Sequence, residues 1–361
     1  MQKKLRTGCA YHGNRMLSHA IADMKEISRA DMDIVVHMLS HTDWERHDQV
    51  MGDIFKASEA EGLEVWVDNW GLGGMPGDKS HFLSYHPEAH MQYANGIMHP
   101  YQVCLNAPSY RQFVKDWIDK VAELGGKTII WDEPQIPLPH VEDTTTNERY
   151  SCCNCPECKK LFRERYGKEI PLLIDAEVGE FRTDTIMDFF DFITGYAKSL
   201  GIKNVVNPIP QLLEGFTTGD GRNKYQKFTI ERLLSVPGID NVGTDPYWLE
   251  MAKGVPAYQY VYDISKKLIT ATDKAEKDHS IWIQGYAIPK GCEEDLFYAT
   301  AAAYDAGART ILSWSFHGGE SNTYRCENPE RAWLYTVEAM KAVKGMERDA
   351  ILEQNRKKYK A

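Results

Sequence analysis

Ser109-Tyr-Arg-Gln-Phe-Val-Lys-Asp-Trp-Ile-Asp-Lys-Val-Ala-Glu-Leu-Gly-Gly-Lys-Thr-Ile-Ile-Trp-Asp-Glu-Pro134 contains one complete helix-to-strand unit. Ser109 is a residue type that caps helices, and Phe113, Val114, Trp117, Ile118, Val121 and Leu124 follow at helical spacing. Those positions make a wide apolar stripe on one face. Gly125-Gly126 stops the helix. Lys127–Glu133 is then a short β-branched and aromatic run, ended by Pro134.

The same unit recurs along the chain. Predicted strands are Arg6–His12, Asp33–Ser40, Leu63–Trp70, Lys127–Glu133, Lys203–Pro208, Ile239–Tyr247, Ser280–Tyr286 and Thr310–Phe316. Two further helices are legible between them, Ile186–Leu200 before Gly201 and Glu293–Ala306 before Gly307. Strands alternating with helices imply parallel βαβ units. Eight units, with no Gly-rich phosphate loop after the first strand, favour a closed (β/α)₈ barrel over a doubly wound sheet. No repeat or linker divides the chain, so residues 1–361 are expected to form a single barrel domain. Long connections, Gly71 to Pro108 and Gln135 to about Pro156, follow the third and fourth strands. Both fall on the C-terminal face, where barrel sites are built.

Composition narrows the partners. The 361 residues are 43% hydrophobic and 26% charged, with a formal net charge of −10. The only basic run is Arg356-Lys357-Lys358, so nucleic acid and anionic membranes are disfavoured. No window approaches 18 apolar residues, and the N-terminus has no apolar stretch of a signal peptide. A cytoplasmic protein is expected, and homo-oligomerisation is left open.

The strand ends supply the candidate site. They bring His12, His41, Asp68, Asn69, Trp70, Asp132, Glu133, Asn207, Asp245, Tyr247, Trp248, Gln284, Tyr286, Trp314 and His317 to one mouth. Aromatic platforms beside acids and amides suit a small carbohydrate, whose C–H face packs on indole and whose hydroxyls need donors and acceptors. Two carboxyls across such a mouth can divide labour, one donating a proton to a glycosidic oxygen and one acting as nucleophile or base. Glu133 is the preferred acid, because it ends the apolar run Ile129-Ile130-Trp131, which would raise its pKa.

Eight cysteines are present, and Cys152, Cys153, Cys155 and Cys158 are clustered. Clustering without an export signal favours a metal site or free thiols over a disulfide framework. Cys104, Cys153, Cys155 and Cys158 suit a closed tetrahedral Zn²⁺ site that would staple a loop of about residues 135–158. Its role would be structural, Cys152 would be the spare thiol, and no organic cofactor is expected.

Glu133 followed by Pro134 at a fourth strand end resembles the acid/base signature of the large clan of retaining (β/α)₈ glycosidases. With Cys104 before the helix and Cys153-x-Cys155-x-x-Cys158 after the acid, residues 100–170 resemble the β-galactosidases of glycoside hydrolase family 42. That resemblance implies a glycosidase, Glu133 as acid/base and a four-cysteine zinc. It also implies a barrel-only relative, since the chain has no room for that family's additional C-terminal domains.

Two departures stand beside it. Asp132 occupies the position of the clan's Asn, and Gln284 the seventh-strand position of its nucleophilic Glu. Three arrangements could supply the second group: Asp245 as partner of Glu133, Asp132 as nucleophile with Asp245 as acid, or a substrate-assisted reaction with Gln284 orienting the sugar. Glu320 is a more distant candidate. Two other readings remain. A metal-dependent sugar isomerase or epimerase would gather His12, His41, Asp68, Glu133, Asp245 and His317 around a divalent ion. A non-catalytic sugar-binding barrel would account for Gln284.

Overall fold

The computed structural model describes residues 4–72, 80–132, 149–213, 225 and 228–345. Eight parallel strands close on themselves: β1 (Arg6–Tyr11), β2 (Ile34–Met38), β3 (Glu64–Asp68), β6 (Thr128–Asp132), β7 (Lys203–Asn207), β8 (Asn241–Thr244), β9 (Asp278–Gln284) and β10 (Thr310–Trp314). β10 pairs with β1 in parallel, Arg6 opposite Thr310 and Cys9 opposite Ser313, which closes the ring. The fold is a (β/α)₈ barrel, and each of the eight predicted strands supplies one of its staves. Leaving aside the expected end at Glu133, which lies outside the described residues, the expected C-terminal ends run one to three residues past the last ladder residue, three for Ile239–Tyr247, because side chains keep alternating past the last ladder bond.

That alternation positions the site. Ala10, Ile34, Val36, Met38, Trp66, Ile130, Val205, Trp282 and Leu312 share one buried cluster, the inside of the barrel. Their neighbours, among them Cys9, Val35, Val67, Ile129, Trp131, Val206 and Ile283, pack outward in the larger cluster shared with the helices. Two residues on from the inward set lie His12, Asp68, Asp132, Asn207, Gln284 and Trp314.

The helix–strand unit at 109–134 forms with one correction. The helix is Pro108–Glu123, with Pro108 in its first turn and Ala107 at the N-cap. Ser109 is therefore inside the helix, and its hydroxyl donates to Glu88 (2.8 Å). Gly125 adopts φ 91°, where glycine is favoured. Gly126 is needed for space, since a Cβ there would sit 2.5 Å from Val121 Cγ1.

The connection after β3 holds an antiparallel hairpin that the sequence reading passed over, β4 (His90–Gln92) and β5 (Met98–Val103). Its turn contains Asn95-Gly96, with Gly96 at φ 87°. Predicted helix Ile186–Leu200 runs as Ala176–Ser199, opened by Asp175, whose side chain accepts from Val178 N (2.9 Å). Its first ten residues carry no clean apolar stripe because Arg182, Thr183 and Thr185 are among those it buries. Among the described residues, no helix is long and apolar enough to cross a membrane.

Candidate active site

At the C-terminal ends of the strands lies a cavity of about 480 Å³, within the range of small-molecule sites. One wall is aromatic. Trp70 and Trp314 lie 5.1 Å apart between ring centroids, and Trp282 meets Trp314 edge-on at 5.6 Å. His12 stands against the same surface, 4.6 Å from Trp314 and 5.4 Å from Trp70. Burial, and secondarily the Arg15 charge, pull its pKa down to about 4, so the imidazole is neutral at pH 7.

The opposite wall is polar, formed by Asp132, Asn207 and Asp245 with Tyr247 and Tyr286 beside them. Asp132 and Asn207 are register partners on β6 and β7. Asn207 Nδ2 donates to Asp132 Oδ1 at 3.5 Å, and the Asp132 backbone N–H donates to Asn69 Oδ1 at 3.0 Å. Asp245 follows β8 and is 3% exposed. Gly243 makes room for this wall, because a Cβ there would lie 2.3 Å from Asn207 Oδ1 and 2.8 Å from Ser280 Oγ. The rings of Tyr247 and Tyr286 meet nearly perpendicular at 5.3 Å.

Eight of the residues expected from sequence thus line one cavity: His12, Trp70, Asp132, Asn207, Asp245, Tyr247, Tyr286 and Trp314. Glu133, the preferred acid, and residues 134–148 lie outside the described residues. The cavity also has walls the sequence reading missed: Trp282, Glu250, Asn322, Thr323 and Tyr324. Trp282 was recoverable, being two residues before Gln284 on the same face of β9. The loop residues 322–324 carry no periodic signal.

Six expected residues are not on its walls. Gln284 is fully buried, and its amide is taken up by backbone: Oε1 accepts from Leu249 N (3.2 Å) and Nε2 donates to Tyr286 O (3.3 Å). Asn69 is also fully buried and supports Asp132 from behind. Asp68 lies along the inward row of β3, wholly buried and, among the described residues, without a well-formed side-chain hydrogen-bond partner for either carboxyl oxygen. Burial pushes its pKa up to about 8, offset in small part by the Trp70 backbone N–H. Trp248 turns outward into the helix layer, one residue out of step with inward Tyr247. His317 is held by Glu26 (Nε2 to Oε1, 2.7 Å) and stacks on Phe316. His41 belongs to a separate group with Glu45 and His81. The histidine and acid set of the isomerase reading is accordingly not assembled among the described residues, because His41 and His317 are engaged elsewhere.

Cys104, Cys153, Cys155 and Cys158 converge, their sulfurs all within 4.8 Å of one another and all four buried. Cys104 Sγ lies 3.3 Å from Cys158 Sγ and 3.4 Å from Cys155 Sγ, far beyond a disulfide bond. Cys155 is the N-cap of the helix Pro156–Tyr166, its Sγ accepting from Cys158 N. Gln92 N of the hairpin points at Cys153 Sγ (3.4 Å), and Asn154 N donates to Gln92 O (2.7 Å). Cys152 is beside the group, its backbone bridged to Tyr93. Neighbouring thiols donating to Cys153 hold its pKa well below the ordinary thiol value. Buried Arg182 adds positive charge next to Cys152 and Cys153. This four-cysteine group could hold a metal ion.

No family model matches the sequence, and no curated protein matches it. Solved structures do match as folds. The catalytic domain of β-amylase from Paenibacillus polymyxa aligns with a TM-score of 0.64 at 9% identity, over 94% of this chain and 99% of that one. GH5_18 from Streptomyces cattleya, in complex with GlcNAc, aligns at 0.61 and 12% identity, over 96% and 82%. The PgaB (BpsB) glycoside hydrolase domain from Bordetella bronchiseptica aligns at 0.60 and 12%, over 95% and 99%. These neighbours are (β/α)₈ glycoside hydrolases, and at such identity the likeness is one of fold.

Proposed function

We propose that this chain is a glycoside hydrolase acting at the mouth of its barrel. The observation that carries the reading is the cavity itself, lined by three tryptophans together with Asp132, its amide partner Asn207, and Asp245. A sugar ring stacked on Trp70 and Trp314 would turn its hydroxyls and glycosidic oxygen toward Asp132, Asn207 and Asp245. Glu133, the residue after Asp132, is assigned as the acid that protonates the leaving oxygen. Asp245 is assigned as its ionised partner, either attacking the sugar or activating water; Asp132 is the alternative partner. Asn207 holds Asp132, and Asn69 holds the backbone that carries it. Gln284 is assigned a supporting role, because both ends of its amide hold neighbouring backbone.

The cysteine group is proposed to hold a structural Zn²⁺. Four thiolates around zinc at about 2.3 Å place their sulfurs about 3.8 Å apart, and Cys104 Sγ already stands 3.3 Å from Cys158 Sγ and 3.4 Å from Cys155 Sγ. Arg182 would offset part of the negative charge of four thiolates. Such a site has no open position, so the metal would hold the loop in place and take no part in bond cleavage.

The test is turnover of aryl glycosides, both anomers and a range of sugars, by the wild-type chain and by Asp245→Asn. Release of the aryl group by wild type, with a loss of at least about 100-fold in Asp245→Asn, is expected. Binding of sugars without turnover across the panel would instead favour the non-catalytic sugar-binding reading.

A further inference from the structure

Outside the cavity, one group of side chains presents three convergent donors. His41 opens the helix His41–Ala60, and Glu45 follows one turn later on the same face. His81 precedes the short helix Phe82–Tyr85 in the connection after β3. The two imidazoles are nearly parallel, 13° between planes and 4.1 Å between centroids. Both aim at one carboxylate oxygen: His81 Nε2 lies 3.0 Å and His41 Nε2 3.3 Å from Glu45 Oε1. All three donor atoms fall within 4.8 Å of one another.

We propose that His41, Glu45 and His81 form a binding site for a divalent transition-metal ion of the Zn²⁺, Co²⁺ or Ni²⁺ class. Two imidazole nitrogens and a carboxylate oxygen are the donor set such ions take in preference to Ca²⁺ or Mg²⁺. Ligands about 2.0–2.2 Å from one ion stand roughly 3.0–3.5 Å apart, which is where both nitrogens stand from the oxygen. The outer partner is also present. His41 Nδ1 lies 2.9 Å from Ser80 Oγ, and that hydroxyl already accepts from Phe82 N (3.1 Å). An Nδ1–H donating to Ser80 leaves the lone pair on Nε2, the tautomer a metal needs.

The site differs from the cysteine group in character. The side chains of Glu45 and His81 are 42% and 37% exposed, so the ion has a solvent side where water completes its shell. A bound ion would tie the start of His41–Ala60 to the segment leading into Phe82–Tyr85, two neighbouring connections on the mouth face of the barrel. The inference does not depend on the cavity's chemistry.

Co²⁺ titration of the full chain tests it, after a single equivalent of zinc has been added to fill the four-thiolate site and any excess has been removed. Wild type is expected to bind one equivalent of Co²⁺ with weak visible absorption and no sulfur-to-metal charge-transfer band, and to melt higher with Co²⁺ than without. His81→Ala should weaken that binding by more than about 100-fold, and Ser80→Ala by roughly 10–100-fold, as loss of an outer partner does. Melting of both variants without Co²⁺ should match wild type, which separates a lost ligand from a lost fold. Equal Co²⁺ affinity in wild type and His81→Ala would overturn the proposal. So would the absence of any Co²⁺ uptake beyond the cysteines.

Discussion

Asp68 lies on the inward row of β3 between Trp66 and Trp70, where no water reaches its carboxyl. Its pKa of about 8, against an ordinary 3.8, means that the folded chain keeps a proton the unfolded chain has released. Between those values the folded state binds more protons, so stability falls as pH rises, by at most about 1.4 kcal/mol per pH unit. The loss is complete once pH passes the folded value. Asp68→Asn should therefore gain on wild type in melting temperature from pH 5 to pH 8; a pH-independent difference would contradict the protonated state. Gly243 is the second residue with a sharp consequence. Gly243→Ala drives a methyl group against the Asn207 amide, and should cost about 1–3 kcal/mol of stability. It should also raise KM for any glycoside substrate, since Asn207 holds Asp132. Unchanged melting and KM would show that the wall is not packed as described.

At the scale of elements, the cysteine knuckle joins three pieces: the hairpin β4–β5, the segment 149–155 and the helix Pro156–Tyr166. The buried apolar side chains of these pieces are few, chiefly the sulfurs, Met91, Tyr93, Val103 and Phe162. Cys155→Ser should lower stability by about 3 kcal/mol or more if zinc is bound, above the usual range for a point substitution. Hydrogen exchange should rise in 90–103 and 149–166 and stay low in the barrel strands; uniform exchange would contradict a local staple. The cysteine spacing was legible in sequence because ligands close in sequence leave few geometries. The hairpin was not read, although Asn95-Gly96 signalled its turn, because His90–Gln92 and Met98–Val103 are short, polar and mostly exposed on β5. The first half of Ala176–Ser199 was hidden for a related reason: it buries arginine and threonine beside polar partners such as Asn106, which donates to Thr185 (3.2 Å).

The whole molecule converts a period of two into a site. Once eight strands close, inward residues at the strand ends gather toward one mouth, so residues far apart in sequence, such as His12, Asp132, Asp245 and Trp314, line one cavity, with Asp68 and Gln284 buried off its walls. That much was legible, because strand count and alternation are local properties. Phase past the strand ends was not. Trp248 follows inward Tyr247 and so turns into the helix layer, and His317 is directed by its tertiary partner Glu26. The central proposal is that Glu133, the residue after Asp132 in sequence, protonates a departing glycosidic oxygen. The direct measurement is kcat of wild type and Glu133→Gln on two glycosides of the same sugar, one with a poor leaving group and one with an acidic aryl leaving group. The account predicts a loss of about 10²–10⁴-fold on the poor leaving group and a much smaller loss on the acidic one, which departs without a proton. Equal turnover by Glu133→Gln and wild type on the poor leaving group would contradict it.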